Sequence, residues 1–314
     1  MMIKRKKILL AAVSAAAVLV LVFLAWNPAK QLYRQLNHLP DENGMYAVQG
    51  QWFEAMPDLD EDSVLSFANR LNAYIIQSLT SENTVYYGVI PDKSWYSAES
   101  GWPTLDHSRL AEILRENIQG AAEIDLTPAL SLEDYYQTDR HWRQERLQSV
   151  LDTLGDAMGF SVKLSDFTEN TITPFHGSFE KKLKNPPEEP FVYLTGGALD
   201  SVSISSYQYP ELQEVYDLSK LESENTYDVF LGGISPIVTL TNPNAESQRE
   251  LVIFGDSYSS SLAPLLCGEY RTVTIVDLRF IFSSLLPDLL NFTNQDVLFL
   301  YSDWILNNSA MLRF

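Results

Sequence analysis

The sequence predicts an α/β protein: a mostly parallel sheet flanked by helices, interrupted by a β-rich insertion and led by an N-terminal transmembrane helix. Three observations predict it. Short apolar runs bounded by Gly, Pro or Asn alternate with stretches of helical periodicity, the order in which helices join parallel strands. The run Leu-Val-Ile-Phe at 251–254 is continuous instead of alternating, as in a strand covered on both faces. Residues 8–26 are uncharged and almost wholly apolar, behind Lys4, Arg5, Lys6 and Lys7.

Nineteen residues of helix span about 28 Å, close to the hydrocarbon thickness of a bilayer. A cleaved signal has a shorter core followed by small residues, whereas Trp26, Asn27 and Pro28 follow here. The expectation is an uncleaved single-pass anchor over 8–26, with the basic cluster in the cytoplasm and everything after it outside. A polar stalk over 27–43 then leads to one α/β domain over 44–314. The lone Cys267 can form no internal disulfide and, among apolar neighbours, reads as a buried, inert thiol. A net charge of −19 excludes nucleic acid, and any anionic polymer held by nonspecific charge.

Within the domain, YAVQGQWFEAM reads as a short β segment. Acidic residues near 58–62 then open a helix, with Val64, Phe67, Leu71 and Ile75 at helical spacing. NTVYYGVIPDK is a strand closed by Pro91, residues 105–117 are helical, and 122–126 give a further short strand. Residues 143–158 form an amphipathic helix with Leu147, Val150, Leu151 and Leu154 on one face, ended by Gly159. From about 160 to 245 the pattern changes to short runs rich in Ser, Thr, Tyr and Val between Pro, Gly and Asn. This is the β-rich insertion; its run Lys181, Lys182, Lys184 reads as a solvated turn. Beyond the central strand, 272–276 is a buried strand, 284–290 a helix and 296–301 a last strand.

The chemistry gathers where the 251–254 strand ends. Gly255 breaks the run, Asp256 and Ser257 follow, and Pro264 suits a helix only in its first turn, which starts that helix near Ser260 or Ser261. Ser257 is thereby lifted off the carboxyl end of a sheet strand, towards the positive end of the next helix. A capping serine gives the same pattern, and a nucleophilic serine needs a base. The histidines are His38, His107, His141 and His176. His141 stands two residues after Asp139. Two helical residues turn about 200°, so the pair shares no helical face. On an extended segment, however, the carboxylate can fold back onto the imidazole and hold one tautomer. Asp106 with His107 reads as a helix cap, and His38 belongs to the stalk. Tyr258 either lines the pocket or packs, and Asp256 hydrogen-bonds the turn backbone. Arg279, just past the carboxyl end of the 272–276 strand, either touches substrate or pairs with Asp277. His176, followed by Gly177, can reach the site from the insertion. No His or Cys cluster supplies the third ligand a catalytic metal needs, Gly232-Gly233 stands alone as no phosphate loop, and no cofactor is expected.

FGDSYSSSLAPLL with a downstream VDLRF, and an upstream YYQTDRHW, resembles the bacterial DHHW protein family. That family is related to the alginate O-acetyltransferases of the SGNH-hydrolase superfamily. The resemblance covers about 44–302, with Arg140 where the family name has its first histidine. It implies an SGNH-hydrolase-like fold with Ser257 as nucleophile, His141 as base and Asp139 as its orienter, in that family's chain order. It also implies an extracytoplasmic O-acetyltransferase, a polysaccharide acceptor, and a multi-spanning membrane-bound acyltransferase as partner delivering acetyl. The N–H of Ser257 is the one oxyanion donor the sequence assigns. Two other functions fit the same residues: an acetyl-ester hydrolase, or an inactive scaffold in a polysaccharide-export complex.

Overall fold

The protein is described by a computed structural model over residues 28–314, so the anchor expected at 8–26 lies outside the described residues. Among those residues, no helix is long and apolar enough to cross a membrane. Residues 28–36 form helix α1, where the sequence gives only a polar stalk. The segment after it is tied to the domain: Asn43 Nδ2 donates to the Lys182 carbonyl at 2.9 Å, and the His38 ring lies 5.5 Å from Trp102.

A hairpin of β1 (Met45–Val48) and β2 (Gln51–Glu54) precedes helix α2 (Glu61–Ser78), which Asp60 caps by accepting from Ser63 N–H. Strand β3 (Thr84–Ile90), helix α3 (His107–Asn117), strand β4 (Ala122–Ile124) and helix α4 (Gln148–Met158) follow. The insertion carries β5 (Thr168–Ile172), β6 (Phe191–Thr195), β7 (Ser203–Ser206) and β8 (Ile237–Thr241). The chain closes with β9 (Glu250–Gly255), the single helical turn α5 (Ser259–Leu262), β10 (Thr272–Val276), β11 (Asp296–Ser302) and α6 (Asp303–Asn307).

The main sheet runs β4-β3-β11-β9-β10-β8-β7, and its first five strands are parallel. β9 lies between β11 and β10, which is why its apolar run does not alternate. Leu251 and Ile253 pack against α4 through Leu147, Val150, Leu151 and Leu154. Val252 and Phe254 face α2 and α3 through Val64, Phe67, Leu71 and Leu110. Successive side chains of a strand point to opposite faces, so one strand serves both cores.

Two expected helices differ, and the insertion joins the main sheet: β8 pairs antiparallel with β10 and β7 with β8, extending that sheet, while β5 and β6 pair apart from it. The buried Ile237, Val238 and Leu240 carry β8 into both cores, whereas the serines of β7 suit an edge. The helix expected over 143–158 is broken near its start, where residues Gln144–Arg146 form a 3₁₀ turn. There the buried Gln144 side chain donates to Ser261 O and accepts from Leu194 N–H. The helix expected over 284–290 is a 3₁₀ turn, Ser283–Asp288, containing Pro287.

Gly255 is required by contact and not by its dihedrals. A methyl there would collide with Ser259 Oγ and lie 2.8 Å from the Leu300 carbonyl on the neighbouring strand. A backbone oxygen inside a sheet cannot swing aside. Gly255→Ala is therefore expected to destabilise by about 1–3 kcal/mol, read as a lower urea midpoint with an unchanged slope.

Candidate active site

Ser257 stands at the carboxyl end of β9, on a turn fixed by the residue before it. The Asp256 carboxylate accepts from Tyr258 N–H at 3.1 Å through Oδ1. Through Oδ2 it accepts from the N–H and hydroxyl of Ser302, at 2.8 and 2.7 Å. Ser302 ends β11, so the turn is tied to the adjacent strand. Among the described residues, the Ser257 N–H meets no protein acceptor. It remains available at the mouth of the turn.

His141 and Asp139 arrive on a loop closed by backbone bonds: Tyr136 N–H to His141 O at 3.1 Å, and Arg143 N–H to Asp134 O at 2.7 Å. The fold-back is achieved on a tight bend instead of the extended segment expected. Asp139 Oδ1 lies 2.9 Å from His141 N–H and 2.6 Å from His141 Nδ1. A carboxylate only accepts, so Nδ1 carries the proton and Nε2 is left as an acceptor. Nε2 lies 2.7 Å from Ser257 Oγ. The structure thus brings Asp139, His141 and Ser257 into one chain of hydrogen bonds.

Burial pulls the Asp139 carboxyl up, but the His141 charge and the donors around it outweigh burial. The group is held well below the usual carboxylate range and stays ionised. One of those donors was not legible as such: Ser178 N–H, 2.6 Å from Asp139 Oδ2. The segment containing His176 does reach the site, yet through the backbone of Ser178. The His176 ring faces Glu180 instead, at 2.8 Å, and half-exposed. The one signal was Gly177, since any side chain there would strike the Thr138 carbonyl.

Of the two readings of Tyr258, the structure shows the packed one. Tyr258 is 2% exposed and donates its hydroxyl to the Arg140 carbonyl at 2.7 Å. Its ring lies 4.7 Å from that of His141, tilted by 55°, while Tyr227, unsignalled in the sequence, stacks on the imidazole at 3.9 Å and 10°. Tyr227 is anchored by Ser261 Oγ at 2.7 Å. The imidazole therefore has one stacked and one tilted aromatic neighbour. Arg279 makes the ion pair with Asp277, its Nη2 and Nε within 2.6–3.1 Å of the carboxylate. The pair also lines a small cavity beside Ser257, together with Tyr227, Asp228 and Gly233. That cavity holds about 20 Å³, room for about one water molecule. His107 sits elsewhere, following the Asp106 cap and 3.5 Å from Asp303. Arg140 turns away from Ser257 to pair with Glu54 and lie 5.1 Å over Trp304.

Because the folded carboxyl of Asp139 titrates below its unfolded value, its stabilisation is present above about pH 3.9 and is lost as pH falls through the folded value. Asp139→Asn is expected to flatten the acid limb of stability relative to wild type between about pH 5 and pH 1, measured as denaturant midpoints across that range.

No protein-family model matches the chain, and no curated protein does. Solved structures do. A DHHW family protein from Eubacterium siraeum matches 86% of this chain and 94% of its own, with a TM-score of 0.72 and 18% identity. PatB1 of Bacillus cereus matches 86% of this chain and 99% of its own at 0.65 and 19%. Its form with a sulfonyl adduct matches 83% and 97% at 0.63 and 17%. At such identities the likeness is one of fold, and over most of its length this chain has the fold of a DHHW family protein.

Proposed function

We propose that this protein is an extracytoplasmic O-acetyltransferase that moves an acetyl group through Ser257 onto a hydroxyl of a cell-surface or secreted polysaccharide. The observation that carries the proposal is the continuous chain from Asp139 through both nitrogens of His141 to Ser257 Oγ, at 2.6 and 2.7 Å. In the first half-reaction His141 Nε2 takes the Ser257 proton as Oγ attacks the acyl carbonyl, then returns it to the leaving group. In the second, His141 takes the proton of the acceptor hydroxyl as that oxygen attacks the acyl-serine, and Ser257 recovers it. Asp139 stays ionised throughout and supports the imidazolium. The free N–H of Ser257 is placed to meet the carbonyl oxygen as it becomes negative.

The polysaccharide and the membrane-bound acyltransferase as acetyl donor come from the resemblance of the FGDSYSS and TDRHW segments to the DHHW and alginate O-acetyltransferase sequences. Residues 8–26 would hold the domain at the outer face of the membrane, where cytoplasmic acetyl donors do not reach. PatB1 of Bacillus cereus, which shares the fold, carries a sulfonyl adduct. On this chain a sulfonyl electrophile is expected to add to Ser257.

Ser257→Ala is expected to lower turnover of an acetyl-ester reporter by about three orders of magnitude or more and to abolish mass addition by a sulfonyl fluoride. Near-wild-type turnover would remove Ser257 from the chemistry. Hydrolysis that glycans never convert to transfer would make the protein an esterase. The topology is tested separately: protease added to intact protoplasts should digest the domain while it remains membrane-bound.

A further inference from the structure

Behind the Asp139–His141 loop lie two charged side chains that the acyl chemistry does not use. Lys93 follows β3 and is 1% exposed; Glu189 precedes β6 and is 4% exposed. Lys93 Nζ donates to the carbonyls of Tyr136 and Gln137, at 2.7 and 3.1 Å. Glu189 accepts from Gln137 N–H at 2.7 Å through Oε2. Through Oε1 it accepts from Thr138 N–H at 2.7 Å and Thr138 Oγ at 2.6 Å.

These contacts interleave. The Tyr136 oxygen and the Gln137 N–H belong to one peptide group, and the Gln137 oxygen and Thr138 N–H to the next. Each of two successive peptide groups is thus held at its oxygen by an ammonium and at its nitrogen by a carboxylate. Charge-assisted hydrogen bonds are the strong ones, and here five meet on three residues. The residue that follows is Asp139. Thr138 O in turn accepts from Phe179 N–H at 3.0 Å, which brings Ser178 N–H to the second Asp139 oxygen.

A buried ammonium is an expensive way to fill space. Burial pushes Lys93 down to about 8, against the pull of Asp92, Asp139 and Glu189, with Arg140 adding to the depression. Among the described residues no carboxylate lies within ion-pair distance of it. The rings of Phe53 and Phe179 lie 5.3 and 5.2 Å from its nitrogen. A methionine would fill the same volume without that cost but could not hold two carbonyls.

We propose that Lys93 and Glu189 form a clamp of positioning residues that fixes the Tyr136–Thr138 backbone and so aims Asp139 at His141. The clamp rests on the acyl-transfer reading only for its effect on turnover. The aim itself can be read without turnover.

Lys93→Met and Glu189→Gln are compared with Val64→Ala, which loosens the core on the opposite face of the sheet. One readout is kinetic, kcat and KM of the acetyl-ester reporter. The other is the far-downfield proton resonance of His141 Nδ1–H in its bond to Asp139, assigned by its loss in Asp139→Asn. Both clamp variants are expected to lower kcat by about ten- to a hundredfold with KM little changed, because a small misplacement of a catalytic group is costly. They are also expected to shift or broaden the resonance, while Val64→Ala at matched loss of stability moves neither. Clamp variants whose resonance and kcat track Val64→Ala would overturn the proposal. If Lys93→Met fails to fold, Glu189→Gln decides: it keeps the shape and removes the charge, and an unmoved resonance overturns the clamp. Should the reporter not be turned over at all, the function fails while the resonance still tests the aim.

Discussion

A carboxylate sealed from water must be met by donors, and the site is arranged around how Asp139 meets them. One oxygen takes two N–H groups of His141, from backbone and ring; the other takes the Ser178 N–H. The first pair fixes the imidazole relative to its own backbone, so the loop and the ring move as one body. The third donor comes from the insertion, so that segment cannot shift without leaving a buried anion short of a partner. Gly177 follows from this: the two backbones must pass too closely for a side chain. Tyr227, stacked on His141 with Tyr258 tilted beside it, helps to hold the plane of the ring.

Beside Ser257 the same logic is carried by Asp256. Its two oxygens are used within the turn and on Ser302, so both are spoken for structurally. The two aspartates differ in their chain neighbours: Asp139 is two residues from a histidine, Asp256 is next to the serine. Chain proximity alone would favour Asp256 as the partner of Ser257. Geometry gives it to the turn.

What was legible in the sequence was what local pattern encodes. The continuous run of β9, the Gly-Asp-Ser turn, the Asp-x-His spacing and the cap at Asp106 each depend on residues within a few positions of one another. How the insertion's strands pair was not legible, because the partners lie far apart in the chain: β8 pairs with β10. Gln144 shows the same limit, since a residue at a good helical position leaves the helix to bond Ser261 and Leu194. Ser178, Lys93 and Glu189 act on the Asp139 loop through or upon backbone atoms. Residue type carries little trace of such contacts. Tyr258 was the reverse case, placed beside Ser257 by sequence yet turned inward to bond the Arg140 carbonyl.

The sheet order has a consequence for how the chain assembles. β11 is the last strand in sequence yet sits between β3 and β9, with Asp296 opposite both Thr84 and Leu251. Until it arrives, β3 and β9 present unpaired, apolar edges to each other and to any other chain. The early part of the sequence therefore has no finished sheet to collapse onto during synthesis, and closure of the domain is among the latest and least local of its contacts. That placement makes the final strand the piece whose loss splits the sheet down its middle instead of trimming an edge.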